Sequence, residues 1–434
     1  MTPQLLSVGR SMHALAAELY PICRSITGAG LRQTLDLIGR QIRLERQEIA
    51  SGTRVFDWTI PPEWNLRDAW IKDDAGRRIV SLAECNLHVV NYSEPVRAKM
   101  SLAELRPHLF SLPEHPDWIP YKYSHWERSW GFCLADRQMR ALPEAKYEVC
   151  IDATLEPGKL DWGECCLPGQ SQQEVVISSH CCHPSLCNDN LSGIALAVEL
   201  AKALGDRPRR YTYRFLFMPG TIGAIAWLAR NQASVGRIHH GLVLTCVGDA
   251  GDVTYKKSRR GDAAIDRAMA QSLRDSGKNH AILDFSPLGY DERQFCSPGF
   301  NLPFGCLMRT PHGCFAEYHT SADNLEFIRP ESLADSFATA LSALEMLEKN
   351  AVMVNVNPHC EPHLGRHGVL AALRGHDRSR ELQEAMMWVL NLGDGENDLM
   401  AVAQRSGLPF PLVSQAAQLL AGAALVARVP DGQE

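Results

Sequence analysis

Between Gln173 and Asn350 the chain alternates short apolar stretches with longer amphipathic ones, and this alternation constrains the fold more than any other feature. The apolar stretches have the length and near-continuous hydrophobicity of strands that are buried on both faces. The stretches between them repeat apolar residues every three or four positions, which is typical of helices. In chain order the segments are EVVISSH, NLSGIALAVELAKAL, YTYRFLFMPG, TIGAIAWLARN, HGLVLTCVGD and ESLADSFATALSALEMLEKN. The pattern predicts an α/β domain with a mostly parallel sheet flanked by helices, whose site lies at the carboxyl ends of the strands.

The segments on either side of this pattern predict further domains. The first 50 or so residues favour helices, and we assign 1–52 together with 165–352 to one discontinuous α/β domain. Residues 53–164 hold short apolar runs broken by Pro, Gly and Asp, with a hairpin signal at DDAG, and predict an inserted β-rich domain. Residues 357–434 predict three short helices, the middle pair separated by a Ser-Gly turn, as in a winged helix-turn-helix domain.

The composition excludes several classes of protein. The 434 residues are 45% hydrophobic and 22% charged, which is ordinary for a globular protein, and the net charge of −6 comes without a block of like charges. A nucleic acid is therefore not expected as the main partner. The amino-terminal segment lacks the pattern of a signal peptide, and no window approaches the roughly 20 apolar residues that span a bilayer. We expect a cytoplasmic protein without membrane contact, whose 14 cysteines are buried free thiols rather than a disulfide framework.

The densest group of polar residues, SSHCCHPSLCNDNLSG, lies at 178–193 between a predicted strand and a predicted helix. A histidine at the end of a strand and an aspartate at the following helix start can converge on one metal ion, and here these residues are His180 and Asp189. The helix amides would favour the ionised carboxylate of Asp189. The alternative is that Asp189 only caps the helix and that the histidines belong to an ordinary loop.

Two further segments supply candidate ligands. EYHTSADNLEFI, at 317–328, carries His319 beside a polar turn, and LVLTCVGD places Asp249 just past a buried strand. Each signal is weak in isolation, because loop histidines and turn-forming aspartates are common.

Together these motifs resemble those of the co-catalytic zinc aminopeptidases, in which a strand ends on a histidine ligand and the aspartate of an Asp-Asn/Asp-x-Ser-Gly motif bridges two zinc ions. The resemblance implies that His180 and His319 are ligands and that Asp189 is the bridging carboxylate. A closer similarity covers essentially the whole chain. It is to aminopeptidase-like proteins often associated with bacterial surface-polysaccharide and secondary-metabolite loci, which also have a β-rich insertion and a winged helix. The segments that carry it include YPICRSITGAG, HCCHPSLCNDNLSG, EYHTSADNLEFI and LNLGDG.

The chain departs from the aminopeptidase pattern at three places. The Glu-Glu pair that supplies a general base and a ligand in the family is Gly220-Thr221 here. The aspartate that orients the first histidine is replaced by Cys182, and the third-ligand aspartate corresponds more nearly to Cys246 than to Asp249.

Hydrolysis needs a proton acceptor, and without those glutamates Glu317 and Glu292 are the remaining candidates. For Glu292 the alternative is an ion pair with Arg293 or with a more distant cation. Cys182 and His183 offer an additional ligand, or a nucleophile with its base, although adjacent residues rarely face each other in the required geometry.

The sequence therefore predicts a metal-dependent hydrolase of amide or peptide bonds that acts on a small aminoacyl or peptidyl substrate. One or two zinc ions would be held by His180, Asp189 and His319, with Asp249 as a weaker fourth ligand. The alternative is a catalytically degenerate peptidase fold that serves as a binding or regulatory protein. The apolar tail segment LVSQAAQLLAGAALVARV carries one arginine, so we expect the winged helix to pack on protein or on a second subunit of a homo-oligomer rather than on DNA.

Overall fold

The computed structural model describes residues 2–205, 207–369 and 379–430, and it divides the chain into two compact units. The first unit comprises residues 1–261 and 280–338, and the second comprises 262–279 and 339–434. The helices are α1 (Pro3–Leu19), α2 (Ala29–Gln41), α3 (Leu102–Leu105), α4 (Asp136–Arg140), α5 (Gly193–Gly205), α6 (Ile222–Asn231), α7 (Ala264–Ser276), α8 (Glu292–Phe295), α9 (Pro330–Lys349), α10 (Ser379–Leu392), α11 (Leu399–Ser406) and α12 (Phe410–Gly422).

The strands are β1 (Glu45–Ala50), β2 (Arg54–Val55), β3 (Trp58–Thr59), β4 (Glu63–Lys72), β5 (Arg78–Ser81), β6 (Val96–Ser101), β7 (Leu109–Phe110), β8 (Phe132–Cys133), β9 (Lys146–Glu156), β10 (Lys159–Leu167), β11 (Glu174–His180), β12 (Thr212–Met218), β13 (Ile238–Leu244), β14 (Val253–Lys256), β15 (His280–Leu283), β16 (Phe304–Met308), β17 (Val352–Asn355), β18 (Asp394–Asp398) and β19 (Val426–Arg428).

An eight-stranded sheet forms the core of the first unit, in the order β1-β10-β12-β11-β13-β16-β14-β15. Its central strands β12, β11, β13 and β16 run parallel. β10 is antiparallel to both of its neighbours, whereas β14 is antiparallel to β16 and parallel to β15. Every residue of β11 is buried, as expected for a strand covered on both faces. The predicted α/β fold with a mostly parallel central sheet flanked by helices is confirmed.

The residues after α2 form a strand, and the predicted continuation of helix to residue 50 is wrong. In β1 the sequence ERQEIA alternates exposed and half-buried positions, which is the period of a strand and not of a helix. β1 pairs antiparallel with β10 along its whole length. Because β10 also pairs with β12, the domain boundary predicted at residue 165 falls inside a strand of the large sheet.

The β-rich segment contains an antiparallel four-stranded sheet in the order β5-β4-β9-β6. The hairpin between β4 and β5 turns at the predicted DDAG sequence, where Gly76 has a φ of 78°. The same segment reaches the carboxyl edge of the large sheet, where the amide of Tyr121 donates to the carbonyl of His319 at 2.7 Å. The amide of Ser321 also donates to the carbonyl of Ile119 at 2.8 Å, so this part of the β-rich segment lies beside the candidate site described below.

The second unit contains a three-stranded antiparallel sheet, β18-β17-β19, together with α10, α11 and α12. α11 is capped by Asp398 and ends at Gly407, which has a φ of 71° and forms the predicted Ser-Gly turn. α12 buries an apolar face that includes Phe410, Val413 and Leu420. This is the predicted winged helix arrangement; residues 370–378 and 431–434 of the predicted 357–434 domain lie outside the described residues.

The cysteines are free thiols, as predicted, and most are buried. Cys166, Cys314 and Cys360 are exposed, against the expectation of burial. Cys166 follows the buried Cys165 on β10, and successive residues of a strand point to opposite faces. Among the helices of the described ranges, none combines the length and the hydrophobicity needed to cross a lipid bilayer.

Candidate metal centre

The structure brings three predicted ligands together around one buried carboxylate. His180 is the last residue of β11, Asp189 lies in the turn that precedes α5, and His319 lies in the loop between β16 and α9. The Nε2 atom of His180 is 2.8 Å from Oδ1 of Asp189, and the Nε2 atom of His319 is 3.0 Å from Oδ2. Each oxygen of Asp189 thus faces a different histidine, and Asp189 itself is fully buried.

The carboxylate of Asp189 is held in its charged form. Burial alone would raise its pKa, but the hydrogen bonds from His180 and His319 oppose burial and hold the pKa of Asp189 well below its usual value. Burial lowers the pKa of His183 well below its usual value, so this imidazole is neutral. An ionised carboxylate beside neutral imidazole is the protonation state that a divalent metal requires of its ligands.

The other polar residues of the NDNLSG motif fix the turn that carries Asp189. The side chains of Asn188, Asn190 and Ser192 accept hydrogen bonds from the backbone amides of Gly248, Cys246 and Val247 respectively, at 2.8, 3.3 and 3.0 Å. The motif therefore ties the end of β11 to the loop after β13.

Gly193, the last residue of the motif, lies in close contact with this turn. A β-carbon there would lie 2.4 Å from both Oδ1 of Asn190 and the carbonyl of Leu244. Asp323, at the end of the YHTSAD segment, accepts from the amides of Asn188 and Asp189 at 2.6 and 3.0 Å. The turn is thus fixed by close packing at Gly193 and by the hydrogen bonds that its amides donate to Asp323.

The placement of Asp249 speaks against its predicted role as a fourth ligand. Its two oxygens accept hydrogen bonds from the Nδ2 of Asn188, the hydroxyl and amide of Thr310, and the amide of Gly251, at 2.7 to 3.2 Å. Within the described residues, the groups of side chains that could hold a metal ion do not include it. Asp249 positions the backbone around Asn188 instead.

Two groups of potential ligands share Asp189: His180, His183 and Asp189 form one, and Asp189, Cys246 and His312 form the other. The ligand atoms within each group lie within 4.8 Å of one another. His183 and Cys246 had a signal in the sequence, since the first stands in the HCCH segment and the second occupies the position of a family ligand. His312 had none, because it lies in a loop that only the tertiary fold brings to Asp189.

Two candidate ligands adopt a backbone conformation that is uncommon for residues other than glycine. His319 has a φ of 56° and Cys246 a φ of 50°. Such residues cost about 1–3 kcal/mol each and cluster at functional sites, because the surrounding structure must enforce them. The backbone conformations of His319 and Cys246 therefore point to the same functional region as the geometry of the candidate ligands.

Tyr290 occupies the space where the aminopeptidase pattern has a glutamate. A β-carbon on Gly220 would lie 2.0 Å from Cε1 of Tyr290, so the glycine is required by the ring. The Tyr290 ring centroid lies 3.9 Å from that of His180, and the phenol oxygen lies 3.6 Å from Sγ of Cys182. The space that a glutamate side chain would need at position 220 is thus filled by the ring of Tyr290, from another part of the chain.

The structure does not place either predicted general base at the site. Glu292 is fully buried and forms an ion pair with Lys256, which supports the ion-pair alternative with a cation other than Arg293. Glu317 is half-buried, and it is absent from the described residues that line the cavity beside His319. These placements speak against both glutamates as proton acceptors.

Cys182 and His183 do face each other, although they are adjacent. Sγ of Cys182 lies 3.4 Å from Nδ1 of His183. Burial raises the pKa of Cys182 to about 12, so the side chain remains a thiol beside a neutral imidazole. The pair lacks the thiolate that a cysteine nucleophile needs.

A cavity of about 320 Å³ opens beside these residues. His183, His319, Tyr290 and Gly220 contribute to its inner wall, and aromatic side chains of the β-rich segment contribute to its outer part.

The donor set fits zinc. Imidazole nitrogen, cysteine sulfur and carboxylate oxygen are the ligands that zinc takes in proteins, and the two ligand groups offer all three kinds of atom. Their shared carboxylate is suited to one or two ions, because each of its oxygens faces the Nε2 atom of a different histidine.

The fold and the site define an aminopeptidase-like α/β protein with a carboxy-terminal winged helix. The chain belongs to the family described as "Domain of unknown function (DUF4910)", whose model matches residues 13–350, and a winged helix-turn-helix model matches residues 351–428.

One relative, from Clostridium acetobutylicum, is 46% identical over 412 residues, which are 95% of each chain. It is named for polysaccharide biosynthesis and for an aminopeptidase-like domain. The crystal structure of a candidate peptidase from the same organism has a TM-score of 0.94 at 45% identity and covers 98% of this chain and 97% of its own. A zinc aminopeptidase from Bacillus subtilis has a TM-score of 0.58 at 14% identity and covers 78% of this chain and 95% of its own, which shows a shared fold.

Proposed function

We propose that this protein is a zinc-dependent hydrolase of amide or peptide bonds that acts on a small aminoacyl or peptidyl substrate. The observation that carries the proposal is the buried, ionised Asp189, each of whose oxygens faces the Nε2 atom of a different histidine. The aminopeptidase-like fold supports it. The name of the Clostridium relative suggests polysaccharide biosynthesis as the setting of the substrate.

In this proposal Asp189, His180 and His319 hold the metal, and Cys246 and His312 complete its coordination by one or two ions, which leaves His183 unligated. Zinc, when bound, supplies Lewis-acid activation of the amide carbonyl and of water. Asn190 holds the backbone of His180 in place, since its Nδ2 donates to the carbonyl of His180 at 3.2 Å. Tyr290 packs against the ring of His180, with 3.9 Å between the ring centroids.

The proton released in hydrolysis needs an acceptor on the cavity wall. Among the described residues that line the cavity there is no aspartate or glutamate, so the acceptor is an imidazole. We assign His183, which lines the cavity, is neutral, and lies 5.0 Å from His180 and 5.2 Å from His319 between ring centroids.

A second function is favoured by Gly220. The side chain that serves as general base in the aminopeptidase pattern is absent there, and Tyr290 occupies its space. A protein that keeps the metal site but uses the cavity only for binding would show the same arrangement.

The two functions are separated by turnover. We would screen aminoacyl amides, short peptides and acyl amides with the zinc-supplemented protein, the chelator-treated protein and Asp189→Asn. The hydrolase predicts turnover that needs zinc and is lost in Asp189→Asn but kept in His239→Ala, whose side chain is exposed on β13. Zinc binding without turnover of any of these substrates would support the binding protein.

A further inference from the structure

The cavity beside the candidate metal centre has an unusual charge for a peptidase that recognises a free amino terminus. Its described lining residues include one permanent cation, Arg293, together with imidazoles and aromatic rings, and they include no carboxylate. An ammonium group entering this cavity would lose hydration without gaining an anionic partner.

The structure explains why positions 220, 291 and 292 do not place a carboxylate in the wall of this cavity. At position 220 a glutamate has no room, since Tyr290 fills the space. Asp291 and Glu292 follow Tyr290 directly, but both side chains are fully buried behind the wall, and Glu292 is neutralised by Lys256. The sequence here thus directs its acids inward and the next residue, Arg293, outward.

Arg293 is free to bind a ligand. It lies on the short helix α8, its side chain is exposed, and it forms no ion pair within the part of the chain that the structure describes. A guanidinium group presents a planar set of donors that matches the two oxygens of a carboxylate or a phosphate.

Exposed aromatic rings of the β-rich segment line the cavity together with Arg293. Trp58 and Trp126 are 42% and 50% exposed, and their ring centroids lie 4.9 Å apart. Tyr123, 51% exposed, also lines the cavity. Large exposed rings at a cavity mouth favour a ligand with a flat or apolar body, since contact with it removes their surface from water.

We infer that the substrate is an amide that carries an anionic oxygen group, carboxylate or phosphate, which Arg293 binds, and an apolar or ring body that packs on Trp58 and Trp126. It would not carry the free ammonium group of an aminopeptidase substrate. This inference rests on the proposed function for the amide, but the recognition of the anion depends only on Arg293 and the charge of the cavity wall.

The test measures how tightly small probe molecules bind to the full chain after a chelator has removed any metal. A bound metal ion then cannot contribute to the binding of an anionic probe. The probes are N-benzoylglycine, its neutral isostere N-benzoylglycinamide, the cation phenylalaninamide, and phenyl phosphate. Calorimetry and tryptophan fluorescence would report their affinities for the wild type, for Arg293→Gln, and for Arg10→Gln as a control at an exposed arginine in α1.

We expect N-benzoylglycine or phenyl phosphate to bind the wild type and Arg10→Gln about 10- to 100-fold more tightly than the neutral amide, which is the usual range for a hydrogen bond to a charged group. Arg293→Gln should abolish that preference and leave binding of the neutral amide unchanged. The tighter of the two anions identifies the group.

Stronger binding of phenylalaninamide, an anion preference that survives in Arg293→Gln, or binding of none of the four probes would overturn the inference. These outcomes are distinct from failure of the proposed hydrolase. An anion preference in a protein without turnover would leave the inference standing, and turnover of free aminoacyl amides would confirm the hydrolase and refute the inference.

Discussion

Gly220 and Tyr290 show how one substitution in the active-site pattern is coupled to another. The ring of Tyr290 lies against His180 and beside Gly220, so position 220 cannot gain a side chain while the ring is in place. The sequence showed that the glutamate was missing but not what replaced it, because the two positions are 70 residues apart in the chain. Restoring a glutamate at position 220 would therefore require a smaller residue at 290 as well.

We predict that Gly220→Ala lowers the free energy of unfolding by about 1–3 kcal/mol, the usual cost of overpacking a core. Denaturant unfolding of a double-mutant cycle with Tyr290→Ala should show that the alanine at 220 costs much less once the ring is gone. Gly236→Ala is the matched control, since a β-carbon there meets no atom within 4 Å. An equal cost of Gly220→Ala with and without Tyr290 would refute the coupling.

His240 is a second residue that leads to a prediction, here about how the stability of the fold depends on pH. It is buried on β13, and neither ring nitrogen has a hydrogen-bond partner within the described residues. Burial, together with the neighbouring His239 and Arg210, lowers the pKa of His240 to about 3. Below its ordinary pKa of about 6.5 the unfolded chain binds a proton that the folded protein does not, so stability falls as the pH falls from there toward 3.

We predict that His240→Phe reduces the loss of unfolding free energy between pH 6.5 and 4 by up to about 1.4 kcal/mol per pH unit. Urea unfolding at several pH values would measure the slope, with His359→Phe as the control at an exposed histidine. A slope that His240→Phe leaves unchanged would show that the folded protein protonates this ring normally.

Among the secondary structure elements, those that the large sheet buries could be predicted best. β11, β12 and α5 are apolar and buried over most of their length, since both faces of the sheet are covered. β1 was missed because an edge strand with one solvated face carries a weak hydrophobic signal. The domain boundary was predicted inside β10 because β10 pairs with antiparallel neighbours in the large sheet and so resembles the antiparallel strands of the β-rich segment that precedes it.

The candidate site was predictable only where a short motif carries it. His180, Asp189 and His319 each stand in a motif and lie together in the structure. The roles of Asp249 and Glu292 depend on partners far away in the chain, Asn188 for one and Lys256 for the other, which sequence spacing does not reveal.

The helix α12 gives a prediction about the winged helix. In the DNA-binding members of this architecture, this helix enters the major groove and nearby cations contact the phosphates. α12 has no lysine or arginine, and β18 adds the acidic residues of DGEND. We predict no salt-dependent binding of a fluorescently labelled duplex by the full protein, as measured by anisotropy at low and at physiological salt. Tight binding that weakens steeply with added salt would show this to be wrong.

At the scale of the whole molecule, the first unit assembles one site from distant parts of the chain. The ends of β11 and β13 and the loop before α9 supply the candidate ligands, and the β-rich segment supplies the aromatic wall. Because these segments would converge on a shared metal, binding of zinc should stabilise this unit against unfolding. The central claim is therefore that this protein binds zinc through Asp189 and the two histidines that face it.

Zinc content and affinity test that claim most directly. We would measure bound zinc by elemental analysis and zinc affinity by calorimetry for the wild type, His180→Ala, His319→Ala and the control His239→Ala. The account predicts that the wild type and His239→Ala bind zinc equally and that His180→Ala and His319→Ala each lose most of it. Full zinc occupancy in either of these two variants, or a wild-type protein that neither contains zinc nor binds added zinc, would contradict it.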